Sequence, residues 1–180
     1  MSPILGILAS SYFAAVGDYE SIATSNPSGV STITFSSIPS TYKHLQVRMS
    51  MIGASGGSLI VANFNSDTGA NYTWHSLQGQ GTTASGYNGT GNSYSRWFGR
   101  DVGTSSTAPT VLVADILDYT NTNKNTTVRV LSGIDTNGSG EVGLSSSLWI
   151  NTAAITSITV KTHDGVNFAA GTKIALYGVL

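Results

Sequence analysis

The sequence predicts an all-β fold, an antiparallel β-sandwich of the jelly-roll kind with a closed barrel as runner-up. Three observations carry this. Apolar and polar residues alternate with period two in segment after segment, Gly, Pro and Asn punctuate those segments at short intervals, and no long amphipathic helical period occurs. Eight to ten short strands are expected, in two sheets that hide their apolar faces against each other.

The clearest strand is Leu45, Val47, Met49 and Met51, with Gln46, Arg48 and Ser50 on the opposite side. Ile33 with Phe35, and Val128 with Val130 around Arg129, follow the same rule. So do Val142, Leu144, Ser146, Leu148 and Ile150, and the closing Ile174, Leu176, Gly178 and Leu180. Two runs, Leu59 to Phe64 and Val111 to Leu117, are apolar at both parities, as expected of strands covered on both faces or meeting a neighbouring subunit. Asn137-Gly138 predicts a hairpin turn needing positive φ and Gly56-Gly57 another, while Ile38-Pro39-Ser40 ends a strand where Pro lacks a ladder donor.

Two segments depart from this pattern. Residues 1–18 read as an apolar N-terminal docking arm ahead of a single sandwich domain at 19–180. Pro3 opens a short helix only weakly, because Gly6, Ser10 and Ser11 oppose it, so an extended arm fits as well. Its Ile4, Leu5, Ile7, Tyr12 and Phe13 are candidates for contact with a neighbouring subunit. Without a basic residue before Lys43 it does not read as a signal peptide, so the chain is expected to be soluble and unprocessed. The second segment, Gly79 to Thr107, is poor in aliphatics and reads as a long loop carrying Tyr87, Tyr94, Arg96, Trp97 and Phe98, with Arg100 beyond. Flat aromatic faces beside guanidinium groups suit subunit interfaces and sugar rings alike, so these are the interface or ligand candidates. Tyr72 and Trp74, on a strand pattern, are expected in the core.

Composition narrows function. Charged residues are only 9% of the 180, against about 25% in an average soluble domain. Ser, Thr, Asn and the 21 Gly must supply the polar surface, while 40% hydrophobic residues remain for a core. A net charge of −1, with eight Lys and Arg spread singly, leaves no basic stripe for nucleic acid and no polybasic membrane anchor. The absence of Cys removes disulfides and thiolate metal sites.

Reactive motifs are weak. Gly53-Ala54-Ser55-Gly56-Gly57 matches a nucleophile elbow in letters, yet no helix follows it. Asp135, Asn137 and Ser139 offer oxygen ligands at alternate positions as a calcium loop does. The twelfth position is Ser146 and both flanks read as strands, so a Gly-rich hairpin fits better than a metal site. Asp115 and Asp118 have opposite parity on a strand and point apart, unlike a glycosidase pair. Asp115 in its apolar run is expected to be bonded to Arg129 or a backbone amide. His44, His75 and His163 have no zinc spacing, and the sequons at Asn71, Asn88, Asn125 and Asn137 follow from abundant Asn, Ser and Thr. No enzyme and no cofactor is expected.

Stretches spanning nearly the whole chain resemble a group of short virion proteins of tailed phages, many from aquatic viruses. They are MSPILGI, YESIAT, ITFSSIPSTYKHLQVR, FNSDTGANYTWHSLQG, DILDYTNTNKNTTVR, AITSITV and ALYGVL. The resemblance implies a tail-fibre, tail-associated or capsid-attached protein on the particle surface. It also implies a β-sandwich that assembles with other virion proteins and with copies of itself, often as a homotrimer, and it brings no catalytic motif. The segment from Gly79 to Thr107 matches no pattern of that group and is where host specificity is expected. The expected function is therefore a non-enzymatic structural component of the virion, with a carbohydrate-binding receptor-recognition module at a fibre tip as the alternative.

Overall fold

A computed structural model describes residues 18–99 and 102–180. Twelve strands form two antiparallel sheets, and no helix long and apolar enough to cross a membrane occurs among the described residues. The larger sheet has eight strands, in the spatial order β1 (Tyr19–Ser25), β12 (Lys173–Val179), β3 (His44–Met51), β8 (Thr110–Leu117), β9 (Thr126–Asp135), β10 (Gly140–Trp149), β5 (Tyr72–Gln80) and β6 (Thr83–Asn92). The smaller has four, in the order β2 (Thr32–Phe35), β11 (Ile158–Thr162), β4 (Ile60–Phe64) and β7 (Ser95–Phe98). The fold is an all-β sandwich, as the period-two pattern predicts.

The core lies between the sheets. Leu45, Val47, Met49 and Met51 point into it from β3, Val128 and Val130 from β9, and Ile174 and Leu176 from β12. Burying such a side chain contributes roughly 1.5–3 kcal/mol. All five residues of β4 are buried, as a strand apolar on both sides requires. Trp97, Trp149, Tyr72, Phe64 and Phe168 are among the core's largest fully buried side chains, and the Tyr72 and Trp149 rings stack at 6.5 Å.

The β4–β5 corner is pinned by one carboxylate. Asp67 accepts hydrogen bonds from Trp149 Nε1 (2.8 Å), the Gly69 N–H (2.8 Å) and Asn71 Nδ2 (3.0 Å). Its own carbonyl accepts from Tyr72 Oη and Asn63 Nδ2. Burial alone would push the Asp67 carboxyl up, but the bonds from Trp149, Asn71 and Gly69 outweigh this and hold it below the usual carboxylate value. The turn between β9 and β10 is the expected hairpin, with Asn137 at φ 58° and Gly138 at φ 110°.

Several expectations fail. Residues 79–107 are not one long loop, since β6 and β7 lie within them. β6 escapes a hydrophobic reading because no residue in it is buried, and it is held by its ladder to β5. Gly56-Gly57 is not a hairpin turn, because β3 and β4 on either side belong to different sheets. On β10 the apolar set is turned outward: Val142 and Leu144 are exposed while Glu141, Ser145, Ser147 and Trp149 are buried. The proposed arm falls outside the described residues except for Asp18, whose carbonyl accepts the Leu180 N–H at 3.3 Å.

Gly178 on β12 sits under the Tyr42 ring. A Cβ there would lie 2.2–2.4 Å from ring carbons of Tyr42, whose hydroxyl donates to Glu20 at 2.9 Å. Gly178→Ala should therefore displace the ring and cost about 1–3 kcal/mol. Urea unfolding checks this, and an unchanged midpoint would show that the ring moves freely.

Candidate functional site

The predicted interface and ligand residues separate once placed. Trp97 and Phe98, on β7, are 0% and 1% exposed, and Trp97 Nε1 donates to Ser95 Oγ at 3.0 Å. Both belong to the core and are unavailable to a glycan or a subunit, which corrects the sequence reading. Arg96, on the same strand, is half-buried with its guanidinium 4.5 Å from the Trp74 ring and 5.9 Å from that of Tyr87. Its Nη2 donates to the Gly99 carbonyl at 2.8 Å, so it braces the β5–β6 hairpin over β7. Burial pulls the Arg96 guanidinium below its ordinary value, partly offset by the charges of neighbours that include Glu141. Tyr94 sets its ring edge-on against His163 at 5.0 Å, and among the described candidates only Tyr87 remains about half exposed. Ile4, Leu5, Ile7, Tyr12, Phe13 and Arg100 lie outside the described residues.

The other candidates resolve into structural roles. Asp135 Oδ1 accepts the Asn137 N–H at 2.8 Å, and Thr136 bonds Ser139 by both main chain and hydroxyl. These oxygens close a hairpin, and no group of three His, Cys, Asp or Glu suited to a metal exists among the described residues. The Gly53 N–H is bonded to the Gly103 carbonyl in an extended crossover, with no helix behind Ser55. Asp115 is bonded not by Arg129 or a backbone amide but by Gln46 Nε2 at 2.7 Å. Gln46 in turn accepts from Arg48, whose guanidinium is sandwiched 4.8 and 4.7 Å from the Tyr19 and Tyr177 rings. Asp118 pairs with Lys124, which holds its carboxyl below the usual value, and its N–H donates to His44 Nδ1 at 2.9 Å.

What the sequence reading missed is a surface. On the outer face of the large sheet the cross-strand register aligns Val113, Leu131, Leu144 and Leu77 in one row across β8, β9, β10 and β5. The next row aligns Val111, Gly133, Val142 and Gly79. Leu77, Val111, Leu131, Val142 and Leu144 are all 50–59% exposed. Beneath them the inner face of β10 is largely polar, with Glu141, Ser145 and Ser147 buried, as is Ser132 on β9. A shallow groove of about 590 Å³ runs over this face between Val111, Leu131 and Val142, with Arg48 and Lys173 at its far end. The signal existed in the sequence as the apolar parity of β10, but it was assigned to the core.

No protein-family model matches this chain, and no curated protein or solved structure is significantly similar to it. Function has to be argued from the residues themselves.

Proposed function

We propose that this chain is a non-enzymatic structural component of a bacteriophage particle. It is a surface-mounted β-sandwich of the tail or fibre apparatus, or a capsid decoration, that assembles with other virion proteins and with copies of itself. The observation that carries the reading is the strand order. β1, β12, β3 and β8 lie over β2, β11, β4 and β7, the arrangement of a double-Greek-key jelly roll, and we infer that class for the domain. The pairs β5–β6 and β9–β10 are then insertions that widen one sheet. Jelly rolls recur in viral capsid and lectin domains, and the resemblance of the sequence to phage virion proteins favours the first.

The lectin-like alternative loses its best platform, since Trp97 and Phe98 are buried and the Trp74 face is taken by Arg96. Mass spectrometry of purified particles should find the chain in stoichiometric amount, and its absence would refute the reading. Deleting residues 1–17 should abolish incorporation while leaving the sandwich's circular dichroism intact. If the truncated chain is incorporated normally, those residues are not the anchor.

A further inference from the structure

The inserted strands β9, β10 and β5 extend the large sheet, and where they run side by side Leu131, Val142, Leu144 and Leu77 are turned outward while Ser132 of β9 and Glu141, Ser145 and Ser147 of β10 are turned inward. Exposing leucines and valines while burying serines does nothing for the chain's own core. The five exposed aliphatics present on the order of 450 Å² in a contiguous patch, the size of the largest apolar patch on a typical monomer, which is often functional. A standard interface takes about 800 Å² per partner, of which about 56–65% is apolar. The patch thus supplies the apolar centre of one such interface.

Its layout is self-complementary about a two-fold axis. The outward positions along β9 read Arg129, Leu131, Gly133 and Asp135, a cation at one end and an anion at the other. A second copy laid face to face, with β9 over β9 in reversed direction, brings Arg129 of each copy to Asp135 of the other. The same operation seats Leu131 over Gly133, Leu77 over Gly79, Val111 over Val113 and Val142 over Leu144, so the leucines of β9 and β5 meet glycine notches while the aliphatics of β8 and β10 meet one another. Sheets pack in this aligned manner about 10 Å apart with strands within about 30° of each other, and an isologous contact needs this reciprocity.

We propose that the outer face of β8, β9, β10 and β5 is a two-fold homodimer interface centred on Leu131 and Gly133. The proposal deepens the self-association contained in the structural reading above, and it differs from the three-fold assembly that the resemblance implies.

Light scattering of the purified full chain at micromolar concentration should give twice the 18.6 kDa of one copy. Leu131→Glu should reduce it to a single copy with unchanged circular dichroism. Arg129→Asp and Asp135→Arg should each weaken pairing by about tenfold or more, by setting like charges against each other. The double charge swap in one chain should restore pairing, which a mere folding defect would not allow. A monomeric or trimeric full chain, or a swap that fails to restore the dimer, overturns the proposal. If the full chain is monomeric and Ile4→Cys then forms an internal disulfide with Leu131→Cys, the face is covered by residues 1–17 instead. A dimer missing from particles sinks the virion reading alone, and a monomer present in them sinks this proposal alone.

Discussion

Trp97→Ala is expected to lower stability by about 3–5 kcal/mol, the cost of opening a large cavity in a packed core. Trp97 is fully buried on β7, among the largest side chains of the core. Its indole N–H is bonded to Ser95 Oγ, itself buried, so truncation also leaves that hydroxyl without its donor. β7 is the edge of the smaller sheet, paired there with β4 and tied to the large sheet through the Arg96 carbonyl, which accepts from Ser145 and Ser147 Oγ. Thermal unfolding should show a fall in Tm of about 6–20 °C, at about 2–4 °C per kcal/mol for a domain this long. The result would separate the two roles considered for this residue: a glycan contact would lose binding with Tm unchanged, whereas the core position loses Tm first.

Asp67→Ala should cost about 2–3 kcal/mol, because it removes the acceptor of three hydrogen bonds at once. The Trp149 N–H is affected most, since Trp149 is 1% exposed and the Asp67 carboxylate is its hydrogen-bond acceptor. The native residue should also show in the pH dependence. Its folded-state pKa lies below the unfolded value of about 3.9, so its stabilisation is complete above that value and is lost as pH falls through the folded one. Asp67→Asn should therefore flatten the acid limb of the stability curve and cost less than Asp67→Ala. Urea midpoints measured from neutral pH down to about 3 would test this, and parallel curves for both proteins would exclude a native carboxylate at that corner.

The core strands were legible because an aliphatic set recurs at every second position: Leu45, Val47, Met49 and Met51 of β3 alternate with polar residues, Val128 and Val130 of β9 flank Arg129, and Ile174 and Leu176 of β12 share one parity. The Asn137-Gly138 turn was legible because only a few residues accept positive φ in succession. Trp97 was misread because the four residues of β7 are too few to establish a period, and their Gly- and Ser-rich surroundings imitate a loop. β6 left no trace because its stability comes from backbone hydrogen bonds, which any sequence can make.

What the sequence determined alone is the class of the fold, two antiparallel sheets with the aliphatics of β3, β4 and β12 inside, since burial of one parity is written directly in a period of two. What only the tertiary structure decided is which side of β10 faces the core. Period two divides a strand into two faces without naming their neighbours. Trp149 and the inner serines turn inward because the register with β9 and β5 is shared along the whole strand, and a shift by one residue would bury Val142 and Leu144 at the expense of Trp149. The outward leucines and valines that mark the proposed contact surface are a consequence of that choice of side.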